Sequence, residues 1–215
     1  MAARSSQKRL PDVLNEAEVE ALRDQCTRSA TGLRNRALVE LMLSAGLRVS
    51  EAVALRPGDI DWQRGEIRVN DGKGEKDRVV PVDRTTLAHL QAWSSKREAL
   101  DVNGRQPFLV GIRTLEGMTT RNAYAIINKQ AQLAGIDQSV NPHMLRHTYA
   151  TRLLDDGYTI REVQQLLGHA DVSTTMIYTH VNPAALRQKI QARAKPHADD
   201  DVQELAKRLQ ELPED

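Results

Sequence analysis

Between Asp59 and Val82 the spacing of apolar residues departs from that of the rest of the chain, and this departure limits the fold more than any other feature. In Glu66-Ile-Arg-Val-Asn70 and Asp77-Arg-Val-Val-Pro-Val82, apolar and polar side chains alternate with the period of a half-buried strand. Asp71-Gly-Lys-Gly-Glu-Lys76 between them is turn chemistry, so the two segments read as a hairpin with Lys73 at its tip. Asp59-Ile-Asp-Trp62 adds a third short strand.

On either side of this sheet the spacing is helical. Asn15 with Glu18 is a capping-box start, and Val19, Ala21 and Leu22 carry a helix to about Ser29. Leu33 to Ala45 is a second helix with Leu38, Leu41 and Met42 on one face, stopped by Gly46. Ser50 to Leu55 is a short third, ended by Pro57-Gly58. Thr85 to about Glu98 turns Leu87, Leu90 and Trp93 inward, residues 101–107 form a loop, and Pro107–Val110 is a short extended piece. Helices follow at roughly 119–134, 143–155, 160–167, 173–179 and 183–193. The expected fold is α+β: mostly α-helical, with one small antiparallel three-stranded sheet. It forms one domain over residues 12–194, after a flexible basic arm at 1–11 and before an acidic linker and amphipathic tail helix at 195–215.

Composition narrows the function. A chain of 215 residues can bury one good core. It holds no run of about 18 apolar residues, so no membrane span is expected. Its basic N-terminus leads into no apolar segment and does not read as a signal peptide. A single cysteine, Cys26, excludes an internal disulfide and a cysteine-based zinc site. A cytoplasmic protein is the expectation. The formal charge of +1 averages two unlike parts. Residues 199–215 hold seven acids against Lys207 and Arg208, a charge of −5, which leaves +6 on the remainder. A basic body with an acidic tail is compatible with DNA binding.

Several cationic and titratable residues recur in an ordered set. Arg48 lies in Gly46-Leu-Arg-Val-Ser-Glu51, and Glu51 three residues on is placed to orient its guanidinium from the same helix face. An arginine suits a phosphodiester because its planar fork grips two oxygens and stays charged. His143 and Arg146 in Asn141-Pro-His-Met-Leu-Arg-His-Thr-Tyr149 are three apart on one predicted helix, side by side. Pro142 fits that helix's first position, where the partial positive charge favours an anion. His147 is expected to be structural. Leu166-Leu-Gly-His-Ala-Asp-Val-Ser-Thr-Thr-Met-Ile-Tyr-Thr-His180 places His169 nine residues before Tyr178. A tyrosine hydroxyl, with a pKa near 10, becomes a useful nucleophile only among cationic groups. Tyr149 is expected in the core and Tyr158 in a turn, and Tyr124 has no motif around it.

Together these motifs, over roughly residues 12–193, resemble the catalytic domain of the tyrosine recombinases, the phage integrase family. Their wording is nearest to the Xer-type and the short fimbrial-inversion recombinases. The resemblance implies a site-specific recombinase acting on double-stranded DNA without metal or cofactor. Arg48 and Arg146 would grip the scissile phosphate, and His143 would hydrogen-bond it or take the tyrosine proton. His169 would pack on the phosphate and Tyr178 would attack it. Lys73, favoured over Lys76, would protonate the departing 5′-oxygen; Arg48, Lys73, Lys76 and Arg146 would all meet DNA. A type IB topoisomerase-like enzyme shares this chemistry. A non-enzymatic regulator on the same fold would have no need of the tyrosine.

Family members commonly carry a helical DNA-binding domain before this part. Here about eleven residues precede the first predicted helix, as in a short fimbrial-inversion recombinase or a fragment of a longer chain. Fewer phosphate contacts imply weaker DNA binding, to which Arg4, Lys8 and Arg9 in the arm would add a little. The family implies a tetramer on two duplexes, with a monomer or weak dimer free in solution. Val202, Leu205, Ala206, Leu209 and Leu212 make a helix too short to stand alone. It is expected to dock in trans on a neighbouring protomer. Deleting residues 199–215 should then reduce synapsis on paired sites in a native gel, and unchanged assembly would sink this expectation.

Overall fold

Helix α2 (Ala30–Leu43) is apolar around most of its circumference, and such a helix must be enclosed. Ala37, Leu38, Val39, Leu41 and Met42 are fully buried on it. In the computed structural model, which describes residues 13–70, 77–100, 102, 105–168 and 183–193, this helix is one of eight α-helices among the described residues. The other seven are α1 (Glu16–Asp24), α3 (Val49–Ala54), α4 (Arg84–Ala99), α5 (Thr120–Leu133), α6 (Pro142–Asp155), α7 (Ile160–Leu167) and α8 (Pro183–Ala192). Helices α3, α4, α5 and α6 contact α2 directly. A second apolar cluster joins Tyr149 and Leu153 of α6 to Val163, Leu166 and Leu167 of α7 and to Leu186 and Ile190 of α8.

Strands β1 (Ile60–Asp61), β2 (Glu66–Val69) and β3 (Arg78–Pro81) form the expected antiparallel sheet, in that order. The register pairs Ile60 with Ile67, Ile67 with Val80 and Val69 with Arg78. Facing partners share one side of a sheet, so Arg78 occupies the same buried side as Ile67, Val69 and Val80. Helix α8 returns to this sheet: Arg187 pairs with Glu66 at 2.5 Å, and Gln191 Nε2 donates to Arg64 O at 2.8 Å.

The Asn15–Glu18 capping box forms as expected. The first helix nonetheless ends at Asp24 rather than near Ser29, because the Ser29 hydroxyl caps α2 by accepting from Gly32 N–H. That cap also starts α2 at Ala30 rather than Leu33. Of Pro107–Val110 only Val110 pairs, in a bridge to Gly117. Leu90 and Trp93 are buried as expected, whereas Leu87 is only partly so. The arm at 1–11, the hairpin tip with Lys73 and Lys76, the 173–179 helix and the tail lie outside the described residues, as do His169 and Tyr178. No helix among the described residues is long and apolar enough to cross a membrane.

Against α2 a buried charge network links three helices. Glu40, 1% exposed, accepts from Arg36 Nε at 2.7 Å, Arg23 Nη2 at 3.1 Å and Ser44 Oγ at 2.5 Å. Arg36 Nη2 lies 3.2 Å from His89 Nε2. A guanidinium only donates, so this nitrogen accepts and the ring is neutral. Burial, and then the charge of Arg36, push the His89 pKa down to about 4 from the usual 6.5. Between these values the unfolded chain binds more protons than the folded one, so stability rises with pH across that window and is lost as pH falls. The urea midpoint should therefore fall from pH 6.5 towards 4, and His89→Gln should flatten that dependence; an equally steep slope in the variant would exclude His89 as its source.

Candidate active site

Helix α2 closes at Gly46, whose φ of +64° is left-handed. A Cβ there would lie 2.4 Å from the Tyr149 ring, so only glycine lets α6 approach this closely. The approach brings Arg146 of α6 to the α2–α3 turn, where its Nη1 donates to Gly46 O at 2.5 Å. Two residues on, Arg48 is the N-cap of α3, with extended backbone. Glu51 at the third helical position accepts from Arg48 N–H at 2.7 Å and from Arg48 Nη1 at 2.9 Å. The expected contact between Arg48 and Glu51 is present, but not because they share a helix face: Arg48 lies outside the helix and its side chain folds back over the first turn.

Glu51 does more than hold Arg48. Its carboxylate is 6% exposed and takes a two-pronged grip from Arg78 of β3, Nη1 to Oε1 at 2.9 Å and Nη2 to Oε2 at 2.8 Å. Arg146 Nη1 lies 3.9 Å from the same carboxylate. Burial alone would raise the Glu51 pKa; hydrogen bonds from Arg78 and Arg48 outweigh it and hold the carboxyl below the usual range.

The same three arginines also grip the end of α7. Arg78 Nε donates to Leu166 O at 3.1 Å, Arg146 Nη2 to Leu167 O at 2.6 Å and Arg48 Nη2 to Gly168 O at 3.3 Å. The last carbonyls of a helix lack intrahelical partners and carry partial negative charge, so cations are stabilising there. Three guanidiniums around one carboxylate leave a net positive site, suited to an anion.

This site opens on a cleft of about 640 Å³, lined by Arg48, His143, Arg146 and His147 together with the apolar Leu154, Ile160 and Val163. His143 is exposed beside the α6 N-terminus, where Pro142 takes the first position and Asn141 Oδ1 accepts from Met144 N–H. The structure thus gathers Arg48, Glu51, His143 and Arg146. It departs from expectation at His147, which is exposed on the cleft wall; one turn beyond His143, it follows the same helix face. Glu51 also borders a hollow of about 360 Å³, but Arg48, His143 and Arg146 do not line it. Among the described residues no three carboxylate, imidazole or thiol groups come together as a metal site. Sequence reasoning missed Arg78. Its one signal was an arginine at an inward strand position, where a buried charge needs a partner.

Three of the four tyrosines are described. Tyr149 is wholly buried, and its burial pushes the phenol far above its ordinary pKa. Tyr158 is 7% exposed, with Lys189 Nζ 5.3 Å from its ring centroid. Tyr124, on α5, does not line the cleft.

Residues 12–185 match the Phage integrase family. The chain belongs to that family. Tyrosine recombinase XerD of Pseudomonas putida is 42% identical over 183 residues, which are 84% of this chain and 61% of that protein. The chain thus spans about 60% of the length of the curated relatives it matches. The crystal structure of XerA recombinase superposes with a TM-score of 0.71 at 36% identity, covering 87% of this chain and 65% of that one. The XerH site-specific recombinase bound to difH substrate, a pre-cleavage complex, gives 0.65 at 28% identity over 75% of this chain and 48% of that one. These likenesses bear out the expected family and fold.

Glu51→Ala should cost about 3 kcal/mol or more, because it strands a buried guanidinium at Arg78. Urea unfolding checks this, and Glu51→Gln, which keeps an acceptor, should lose less.

Proposed function

We propose that this chain is the catalytic part of a site-specific recombinase that cuts and rejoins double-stranded DNA through a 3′-phosphotyrosine at Tyr178. The observation that carries the reading is the convergence of Arg48, Arg146 and His143 on one cleft, with both guanidiniums anchored on the chain just before His169. Burial of Tyr149 and Tyr158, and the place of Tyr124 away from the cleft, favour Tyr178 as nucleophile. Recombinases among the relatives, one of them bound to its DNA substrate, support DNA as the partner.

In this reading the scissile phosphate lies over Arg48 and Arg146, whose charge offsets that developing on its oxygens. The Tyr178 hydroxyl attacks phosphorus and its proton passes to His143. The bond from phosphorus to the 5′-oxygen breaks, and Lys73 protonates the leaving oxygen. His169 packs against the phosphate, and Lys76 adds a contact to DNA. A 3′-phosphotyrosine and a 5′-hydroxyl result. Attack by the 5′-hydroxyl of a second strand reverses the step, releasing Tyr178. One phosphoester replaces another throughout, so no nucleotide cofactor is consumed. Exchange between two duplexes calls for four protomers.

A nicked suicide duplex, which loses its 5′-hydroxyl fragment after cleavage, should trap a covalent adduct with the wild-type chain and none with Tyr178→Phe. Adduct in both would remove Tyr178 as nucleophile. Exchange between two sites, rather than relaxation of a single supercoiled duplex alone, separates a recombinase from a topoisomerase.

A further inference from the structure

Arg78 does not line the cleft, yet it grips Glu51, which holds Arg48, and Leu166 O, next to the Leu167 and Gly168 carbonyls that hold Arg146 and Arg48. Opposite Val69, it closes the β2–β3 ladder just before the hairpin that carries Lys73. Its side chain is 9% exposed. All three kinds of guanidinium nitrogen are engaged: Nη1 and Nη2 grip the two Glu51 oxygens in parallel, and Nε holds Leu166 O. Gly168 closes over it. A Cβ at Gly168 would stand 2.7 Å from Arg78 Cδ and 2.9 Å from its Nε and Nη1, and the glycine's φ of +67° is left-handed. The side chain therefore has no room to swing towards a substrate.

Resting on the recombinase reading above, we propose that Arg78 is a positioning residue for the cleavage step. It locks the Glu51 carboxylate that orients Arg48, and fastens that carboxylate to the end of α7, where Arg146 is also held. The base of the hairpin, the α3 cap and the α7 end thereby form one rigid frame around the phosphate site. Without Arg78, Glu51 would keep two bonds from Arg48, N–H to Oε2 and Nη1 to Oε1, both within its own helix cap, and Arg146 at 3.9 Å from α6. The cap pair would lose its two-pronged hold from the sheet, and Arg48 would shift together with Glu51. Burial would then raise the Glu51 carboxyl with less opposition.

The test is single-turnover adduct formation on the nicked suicide duplex by the full chain, its Arg78→Met and its Arg78→Lys variants. Loss of folded protein lowers the amplitude of the burst, whereas misplacement of Arg48 lowers its rate constant. A positioning role predicts a rate constant about 100-fold lower for Arg78→Met, as expected for displacement of a reacting group by about 1 Å. It predicts about 10-fold for Arg78→Lys, which keeps the charge and loses the fork. DNA affinity should stay within about 2-fold of wild type, because Arg78 makes no phosphate contact in this reading. The acid limb of the pH–rate profile should move to higher pH in Arg78→Met as Glu51 becomes easier to protonate. Should Arg78→Met fail to fold, Arg78→Lys decides. Unchanged rate constants, or losses confined to amplitude, overturn the proposal. An unreactive wild-type chain overturns the recombinase reading and this one with it; a reactive wild type with equally reactive variants overturns this one alone.

Discussion

One carboxylate organises the centre of this molecule. Glu51 is nearly inaccessible to solvent, and an isolated charge there would be strongly disfavoured. Arg48, from its own helix cap, and Arg78, from the sheet, hydrogen-bond it, and Arg146 of α6 stands beside it. Removing the carboxylate leaves the buried Arg78 and Arg146 guanidiniums under-compensated. The same contact sets where a helix begins, since Glu51 completes the α3 cap through the Arg48 N–H. Local capping, the joining of sheet to helix and the charge of the cleft thus depend on a single side chain.

The end of α7 supplies the complementary half. Helix C-termini expose carbonyls that need donors, and here the donors are the same three arginines. Each guanidinium therefore bridges a carboxylate and a helix end, rather than reaching out on a flexible stem. Such a frame suits transfer at a phosphate, where catalysis rests on position and charge more than on covalent chemistry. Two glycines make it possible by sterics: Gly46 admits the Tyr149 ring and Gly168 admits Arg78.

Much of the architecture was legible because its signals are local. The capping box at Asn15, the alternation in 66–70 and 77–82 and the Pro142 start of α6 each involve neighbours within a few residues, and all appear where expected. Errors came where a local signal had two readings. Ser29 reads as the end of one helix and is the cap of the next. His147 reads as structural, yet one turn of helix brings it to the same face as His143, exposed on the cleft wall. The Arg48–Glu51 contact was anticipated from helical spacing and is made by a cap instead.

From the chain alone came the order of the motifs, the residue types that suit a phosphate, and the sheet inserted among helices, all carried by short-range spacing and chemistry. Which arginines share a carboxylate could not be read that way. Arg48, Arg78 and Arg146 are brought together by contacts spanning up to 120 residues, and only burial makes a common partner obligatory. Arg78 reads in sequence as an ordinary strand residue. It becomes part of the site because the sheet register turns it inward, against Glu51 and the end of α7.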